Sequence, residues 1–592
     1  MTTLIPKFDV KNGGSTPTGA VNRPINEKLG ESVSVKDFGA VGDGTTDDTD
    51  AIQNALNSGS LFVFVPQGTY NITSTLTIPT GIEFYGCDTS SVLSLAANAS
   101  MITTTGSNVV IRNIKLNGNS STYNNTNNNA IYVNWTSISG YNIKINNVSI
   151  LNIAGAGVIA LASSGTASND VWIENCSIEN TGTHGIIAQD YISNVWILAN
   201  KVKYTGLLVA DRPGITASRY GSNVTISNNI CIGSPSALGV SVHGISVDTT
   251  INSSVTGNTI SGWIGYGIEV GFCTNCTVSA NTITNVGNSG IVLSADQATL
   301  QINTNVTISG NTITSPTAAG IYSFITGGTG TLFNKNISII GNTINGSVTN
   351  NGIYMGLCNI LSITGNSVYN SYLSGVYILD CKNVLTSGNT VVNNNISTLV
   401  SVSSLTQSSG TATVTTSTNH GYSNGNIITI MNAIPAEYNG SFPITITGTN
   451  TFTYFVLPTS LQTPALALSD GILCTKPNSL SSGGIRPLYS VLTSKETLVF
   501  GHNTVMDNGY IDYYSPSYNG VIGFWNDGLY LRSTNTPYVE NLTTGSNQKD
   551  RAALIMKNGK ITIAYDNAGT LTYATLPLDG STTSWTNSST TP

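Results

Sequence analysis

The chain has 592 residues, 40% of them hydrophobic and only 9% charged, with 61 glycines and an abundance of Asn, Thr and Ser. So little charge and so many turn-forming residues argue against a helical or ordinary α/β protein and for β-structure with many turns. A net charge of −7, with Lys and Arg scattered along the chain, leaves no basic footprint for nucleic acid or for an anionic membrane surface.

The N-terminus, "MTTLIPKFDVKNGG", lacks the apolar core of a signal peptide, and no run of about 18 apolar residues occurs. A soluble chain that does not insert in a membrane and is not exported by a cleaved leader is expected. Eight Cys in so long a chain do not form a disulfide framework, and reduced thiols are the default. Residues 1–34 read as a leader. The stretch "DFGAVGDGTTDDTDAIQNAL" at 37–56 then crowds Asp43, Asp47, Asp48 and Asp50 together. Behind them Ala51, Ile52, Ala55 and Leu56 form one apolar helical face, so a short helix capped by Asp47 or Asp48 is predicted, closing the open end of whatever follows. A calcium loop does not fit, because neither the Gly position nor the terminal Glu is met. "LFVFVPQGTYNI" follows as the first buried strand and turn.

From about residue 109 to 395 the chain repeats itself. "VWIENCSI", "NVWILANKV", "NVTISNNIC", "SSVTGNTI", "NVTISGNTI" and "LSITGNSV" are short strands ending in a turn. They align Asn200, Asn229, Asn258, Asn281, Asn311, Asn342, Asn366 and Asn389 at intervals of 23 to 31 residues, with Ile114, Val148 and Cys176 continuing the column backwards. Midway lies a glycine column: Gly157, Gly185, Gly214, Gly244, Gly267, Gly290, Gly320, Gly352 and Gly375. Short strands at this period, without helical pattern or leucine skeleton, predict an all-β fold, a parallel β-helix with coils stacked about 4.8 Å apart. The Asn column is then a hydrogen-bonded ladder. Each Gly supplies either a positive φ or a close backbone approach.

The pattern stops near residue 398. Residues 398–476 read as a small inserted β-domain, and Gly484 and Asn503 resume both columns in the last coils, 477–511. In 512–592, "GVIGFWNDGLYLRS" and "GKITIAYDNAGTLTYATLPL" are strand pairs around tight turns, predicting a terminal β-domain for trimerisation or glycan binding.

"VKDFGAVGDGTTDDTDAIQNAL" resembles the N-terminal motif of the pectate-lyase-like right-handed β-helix superfamily. With the short leader before it, the chain is similar to bacteriophage tailspike proteins. That resemblance implies a homotrimer on the phage tail, an N-terminus that meets other virion tail or baseplate proteins, and binding or depolymerisation of bacterial surface polysaccharide. It carries over no catalytic residue, because the Asp-rich motif belongs to the cap.

Candidates for chemistry come from the coil register. The residue after each column glycine points inward, so Gly+2 and Gly+4 should point out. This puts Asp248 and Glu269 on one outer face of adjacent coils, about 8 Å apart at Cα, within reach of a glycosidase carboxylate pair or of two merely solvated carboxylates. Crowding should keep one of them protonated. His184 and His243 stand just before their glycines, with Tyr266 next in that column and Asp190, Asp211, Arg212 and Arg219 nearby. Each His is either a turn residue bonded to backbone or a base. Tyr322, Tyr354 and Tyr377, with Phe324, form an outward aromatic strip suited to stacking on sugars or to a trimer interface. Trp263, Tyr266 and Phe272 bracket Glu269 as a second platform. "CTNC" at Cys273 and Cys276 lacks two further zinc ligands and falls in a column of small buried residues with Cys358 and Cys381, so no metal and no cofactor is expected.

Three functions fit. The first is an endo-glycosidase using Asp248 and Glu269. A polysaccharide lyase would use His243 as base and Arg212 or Arg219 to neutralise a uronate. The third is a non-catalytic glycan adhesin.

Overall fold

The computed structural model describes residues 30–476, except 167, 235–242, 297, 327–332, 396–399, 457–460 and 468–470, together with short stretches before residue 30 and separate strands between 483 and 588. Most of the predicted leader lies outside the described residues. The chain divides into two compact units: residues 1–287 with 303–307, and residues 288–302 with 308–592.

In the first unit each coil contributes three short strands that pair in parallel with their counterparts one coil on. The strand after the column glycine runs in register Ile186↔Ile215↔Ile245↔Ile268. A longer second strand runs Ile197↔Ile226↔Val255↔Val278, and a third Val202↔Cys231↔Ile260↔Ile283. All these side chains are buried inside the coil, each contributing about 1.5–3 kcal/mol. Between the second and third strands the expected ladder is present. Asn200, Asn229 and Asn258 each donate an amide N–H to the Oδ1 of the next Asn at 2.9–3.0 Å, and each backbone N–H donates to the same oxygen. Their other amide hydrogens go to the carbonyls of Ile173, Ile197 and Ile226. The coil can therefore bury an amide because every one of its polar groups is paired.

The glycines of the second column are needed for space rather than for a positive φ. A Cβ on Gly185 would stand 2.4 Å from Val202 Cγ1 and 2.6 Å from the Gly214 carbonyl, and one on Gly244 would stand 2.5 Å from Ile260 Cγ2. Positive φ is found instead on an outer corner, where Asn194, Asn223, Asn252, Asn275 and Asn305 lie between 53° and 56° and each donates its amide to the preceding side chain. Asn is the residue other than Gly that tolerates this region best. This second, exposed ladder is an addition to what the sequence columns predict.

The Asp-rich stretch is bonded inward on itself. Helix α1 spans Thr49–Leu56 with Ile52, Ala55 and Leu56 buried, and Gln53 ties it to the backbone of Thr77. Asp48 occupies the N-cap position but does not cap with its side chain: the carboxylate turns back to accept the N–H groups of Val41 at 2.6 Å and Gly42 at 3.1 Å. Asp47 accepts from Thr49 and Thr73, and Asp43 accepts the backbone N–H groups of Thr46 and Thr45, which hold its carboxyl well below the usual range.

In the second unit the same three-strand coil continues, with Asn311, Asn342, Asn366 and Asn389 bonded in sequence at 2.9–3.0 Å. Residues 400–475 form a seven-stranded sheet around Leu405, Val414, Ile430, Phe452 and Cys474. Either side of it the coil strands pair directly, Val376↔Ile485 and Val391↔Val505. Ile511–Ser515 still pairs in parallel with Gly483–Leu488, and beyond it the strands are antiparallel neighbours, including Gly520–Trp525 with Gly528–Ser533 and Lys560–Asn567 with Thr570–Pro577.

Candidate functional site

Three of the predicted site residues come together in the first unit. Glu269 lies directly opposite Ser246 one coil away, and Asp248 lies opposite Gly271, so the carboxylates are offset by two strand positions as the register required. Glu269 accepts the Ser246 hydroxyl at 3.0 Å, and His243 Nε2 stands 3.5 Å from the same Oε2. The other imidazole nitrogen, Nδ1, accepts the backbone N–H of Tyr266 at 3.1 Å. That bond fixes the tautomer: Nδ1 is unprotonated, and in the neutral ring the hydrogen is on Nε2, facing the carboxylate. Tyr266 also stacks on the imidazole at 4.8 Å.

Burial shifts both Asp248 and His243. Burial is the main cause that raises the Asp248 carboxyl above its ordinary value, and the charge of Glu269 adds to it, against a bond from Thr249 and the pull of Arg219. Burial holds His243 down to about 4, so the ring is neutral near pH 7. His184, two coils earlier, is held down to about 3 by burial and by Arg212.

The outer face is more recessed than simple alternation suggests. At the Gly+2 positions, Ile187 is 4%, Thr216 7% and Ser246 5% exposed. The Thr216 hydroxyl, in the same row as Ser246 and Glu269, is buried without a hydrogen-bond partner.

Trp263 is a correction. The sequence places it as an exposed sugar platform beside Glu269, but it is 1% exposed, and its indole N–H donates to the Cys231 carbonyl at 3.1 Å. The bare glycines Gly214 and Gly244 leave the room it fills, since Cβ atoms there would stand 2.7 and 3.3 Å from the indole, and bare Gly233 clears its backbone, with a Cβ 2.6 Å from Trp263 Cα. Arg219 does lie at the site, largely exposed, with Asp190 3.7 Å away in a weak ion pair. Tyr322, Tyr354 and Tyr377 belong to the second unit. They are half-buried with ring centroids 4.8 and 4.9 Å apart, and burial raises the Tyr354 phenol above its ordinary range. Cys273 and Cys276 are buried thiols, Cys273 bonded to the carbonyls of Val247 and Gly271.

Tyr191 and Tyr220 are residues that the coil register does not single out. Both are exposed, stack at 4.9 Å with an interplanar angle of 18°, and take left-handed φ values of 62° and 67° at the corner that also carries Asp190 and Arg219. A signal for them exists: each stands three residues before an Asn of the outer ladder, Asn194 and Asn223.

Two family models match the chain: rhamnogalacturonase A/epimerase, pectate lyase-like, over residues 32–292, and the right-handed β-helix region over residues 243–436. The coils thus define a pectate-lyase-like right-handed parallel β-helix. Its curated relatives include virion tail components. The chain is 26% identical over 270 residues to the preneck appendage protein of Bacillus phage PZA, covering 40% of this chain and 30% of that protein. It is 56% identical over 41 residues to the tail spike protein of an Escherichia phage, covering 7% of this chain and 5% of that protein. The tailspike-like reading of the sequence agrees with these relatives, of whose length the chain spans at most 30%. Among solved structures, the A-module of the mannuronan C-5 epimerase AlgE4 of Azotobacter vinelandii is similar at a TM-score of 0.44 and 18% identity, covering 61% of this chain and 95% of that one.

Proposed function

We propose that the protein is a phage tail component that binds and depolymerises a bacterial surface polysaccharide by endo-glycosidic hydrolysis. The observation that carries this is the pairing of a carboxyl raised by burial, Asp248, with a carboxylate on the next coil that accepts from Ser246 and faces His243. In this reading Asp248 protonates the leaving glycosidic oxygen. Glu269 activates water or attacks the anomeric carbon, the two roles glycoside hydrolysis requires. His243 positions Glu269.

The lyase alternative asks His243 to take a proton. Its Nδ1 is occupied by the Tyr266 N–H and its Nε2 hydrogen faces Glu269, which counts against a free base there. Arg219 and Tyr266 are assigned to substrate contact, and Tyr322, Tyr354 and Tyr377 to glycan contact within the second unit. A homotrimer, attached through the leader to other tail or baseplate proteins, completes the proposal.

The test is the product. Incubation with host capsule or O-antigen should release oligosaccharides with new reducing ends and no ultraviolet absorbance from an unsaturated uronate. That absorbance would establish a lyase, and tight binding with no product an adhesin. A monomer by light scattering would remove the trimer.

A further inference from the structure

The outward row of the second strand runs in register Lys144↔Trp172↔Trp196↔Thr225↔Ser254↔Thr277. It lies in the first unit, on a different strand of the coil from Asp248 and Glu269. Trp172 and Trp196 are half-buried and stack with ring centroids 4.5 Å apart and an interplanar angle of 7°. That separation is close to one coil step, so the stack runs along the coil axis. Lys144 closes it at one end, its ammonium 3.4 Å from the Glu174 carboxylate. At the other end the row drops to a small side chain, and the second face of Trp196 is turned to the coil of Thr225.

Beyond that wall the surface changes character for three coils, about 14 Å. The strands Ser222–Ser227, Ile251–Thr256 and Thr274–Ser279 contain no charged residue. Thr225, Ser254 and Thr277 put a hydroxyl in the row on each coil. Two residues before them stand Asn223, Asn252 and Asn275 of the exposed ladder, each of which commits one amide hydrogen to the preceding side chain and keeps a second. A sugar has an apolar C–H face and hydroxyls around its edge, so an indole face bordered by uncharged hydroxyls and amides is its complement. An interface between proteins needs an apolar core, and this floor is polar.

We infer that this row is a second glycan-binding site, in which a neutral pyranose packs its C–H face on Trp196 above Thr225 and the next sugars follow the row over Ser254 toward Thr277. The three strands that floor it carry no carboxylate, so the site holds glycan without cutting it. Its occupancy by sugar does not depend on the reaction at Asp248 and Glu269.

The test uses the full-length chain on an array of bacterial capsule and O-antigen oligosaccharides. Trp196→Ala removes the wall. Thr225→Arg keeps the wall and lays a guanidinium across its open face, whereas Thr225→Ser keeps both face and hydroxyl. Glycans bound by the unmodified protein should bind about tenfold more weakly or worse to Trp196→Ala and Thr225→Arg, and normally to Thr225→Ser. Circular dichroism and melting check the fold, and should Trp196→Ala fail to fold, Thr225→Arg decides. Light scattering should give one oligomeric state for all variants. Equal binding by all of them, or no glycan bound by the unmodified protein, overturns the site. So does a change of oligomeric state in Thr225→Arg, which would make the Trp face a contact between copies of the chain. Binding lost in Thr225→Arg with full turnover in Asp248→Asn would keep this site and remove the hydrolase pair; unchanged binding in Thr225→Arg with turnover lost in Asp248→Asn would do the reverse.

Discussion

His243 Nε2 and Glu269 Oε2 face each other across 3.5 Å, with the imidazole clamped on its far side by the Tyr266 N–H. A ring so held does not exchange protons freely; it donates. Asp248→Asn and Glu269→Gln are each expected to lower turnover by about 10²–10⁴. His243→Ala should lower it less, with KM nearly unchanged. Removing a donor raises the carboxyl it served, so the acidic limb of the His243→Ala pH–rate profile should move to higher pH. An unmoved limb would reduce His243 to packing.

The two histidines make the coils acid-sensitive. His243 is held near 4 against an ordinary 6.5, so the folded form refuses a proton that the unfolded chain accepts. Its stabilisation is complete above pH 6.5, declines as pH falls through 6.5, and is lost near 4, amounting to roughly 3 kcal/mol. His184 acts in the same direction. Melting temperature should fall between pH 6.5 and 4, and less steeply in His243→Asn.

Asn258 sits at the centre of the inner ladder, accepting two N–H groups from Asn229 and donating to Ile226 and Asn281. Asn258→Ala strands a buried N–H and should cost about 2–4 kcal/mol. Asn252→Ala on the exposed ladder should cost about 1 kcal/mol or less, mainly through its positive φ. Urea denaturation of the two variants measures the difference.

Gly185→Ala and Gly310→Ala separate the two uses of glycine. The first drives a methyl into Val202 and a carbonyl and should cost about 1–3 kcal/mol. The second has open space but a φ of 61°, and should cost about 1 kcal/mol. Equal costs would mean that crowding inside the coil is relieved by movement of the wall.

The Asn and Gly columns are legible in the sequence because each recurs at one offset in every coil and is enforced by residue type: only Asn bonds upward and downward, and only Gly fits beneath the next carbonyl. The carboxylate pair is legible because charges are sparse and alternation sets direction. Trp263 is not, because its inward turn depends on space left by Gly214 and Gly244, which are distant from it in sequence. Asp48 departs from the side-chain cap that its position predicts, since its partners, the amides of Val41 and Gly42, lie outside the helix it begins. Tyr191 and Tyr220 escape a reading by columns because the outer asparagines that index them are hard to separate from the many others.

The ladder also governs where the chain can grow. From column glycine to ladder asparagine the chain takes 15, 15, 14 and 14 residues, counted Gly185 to Asn200, Gly214 to Asn229, Gly244 to Asn258 and Gly267 to Asn281. From asparagine back to glycine it takes 14, 15 and then 9, counted Asn200 to Gly214, Asn229 to Gly244 and Asn258 to Gly267. In these four coils extra length enters only between asparagine and glycine, whereas further on it enters the other arc, with 21 residues from Gly290 to Asn311 and 22 from Gly320 to Asn342. The two long arcs are the ones that deliver Asp211 and His243, so the rim of the site can be lengthened or rewritten at little cost in loop entropy while the wall behind it keeps its count.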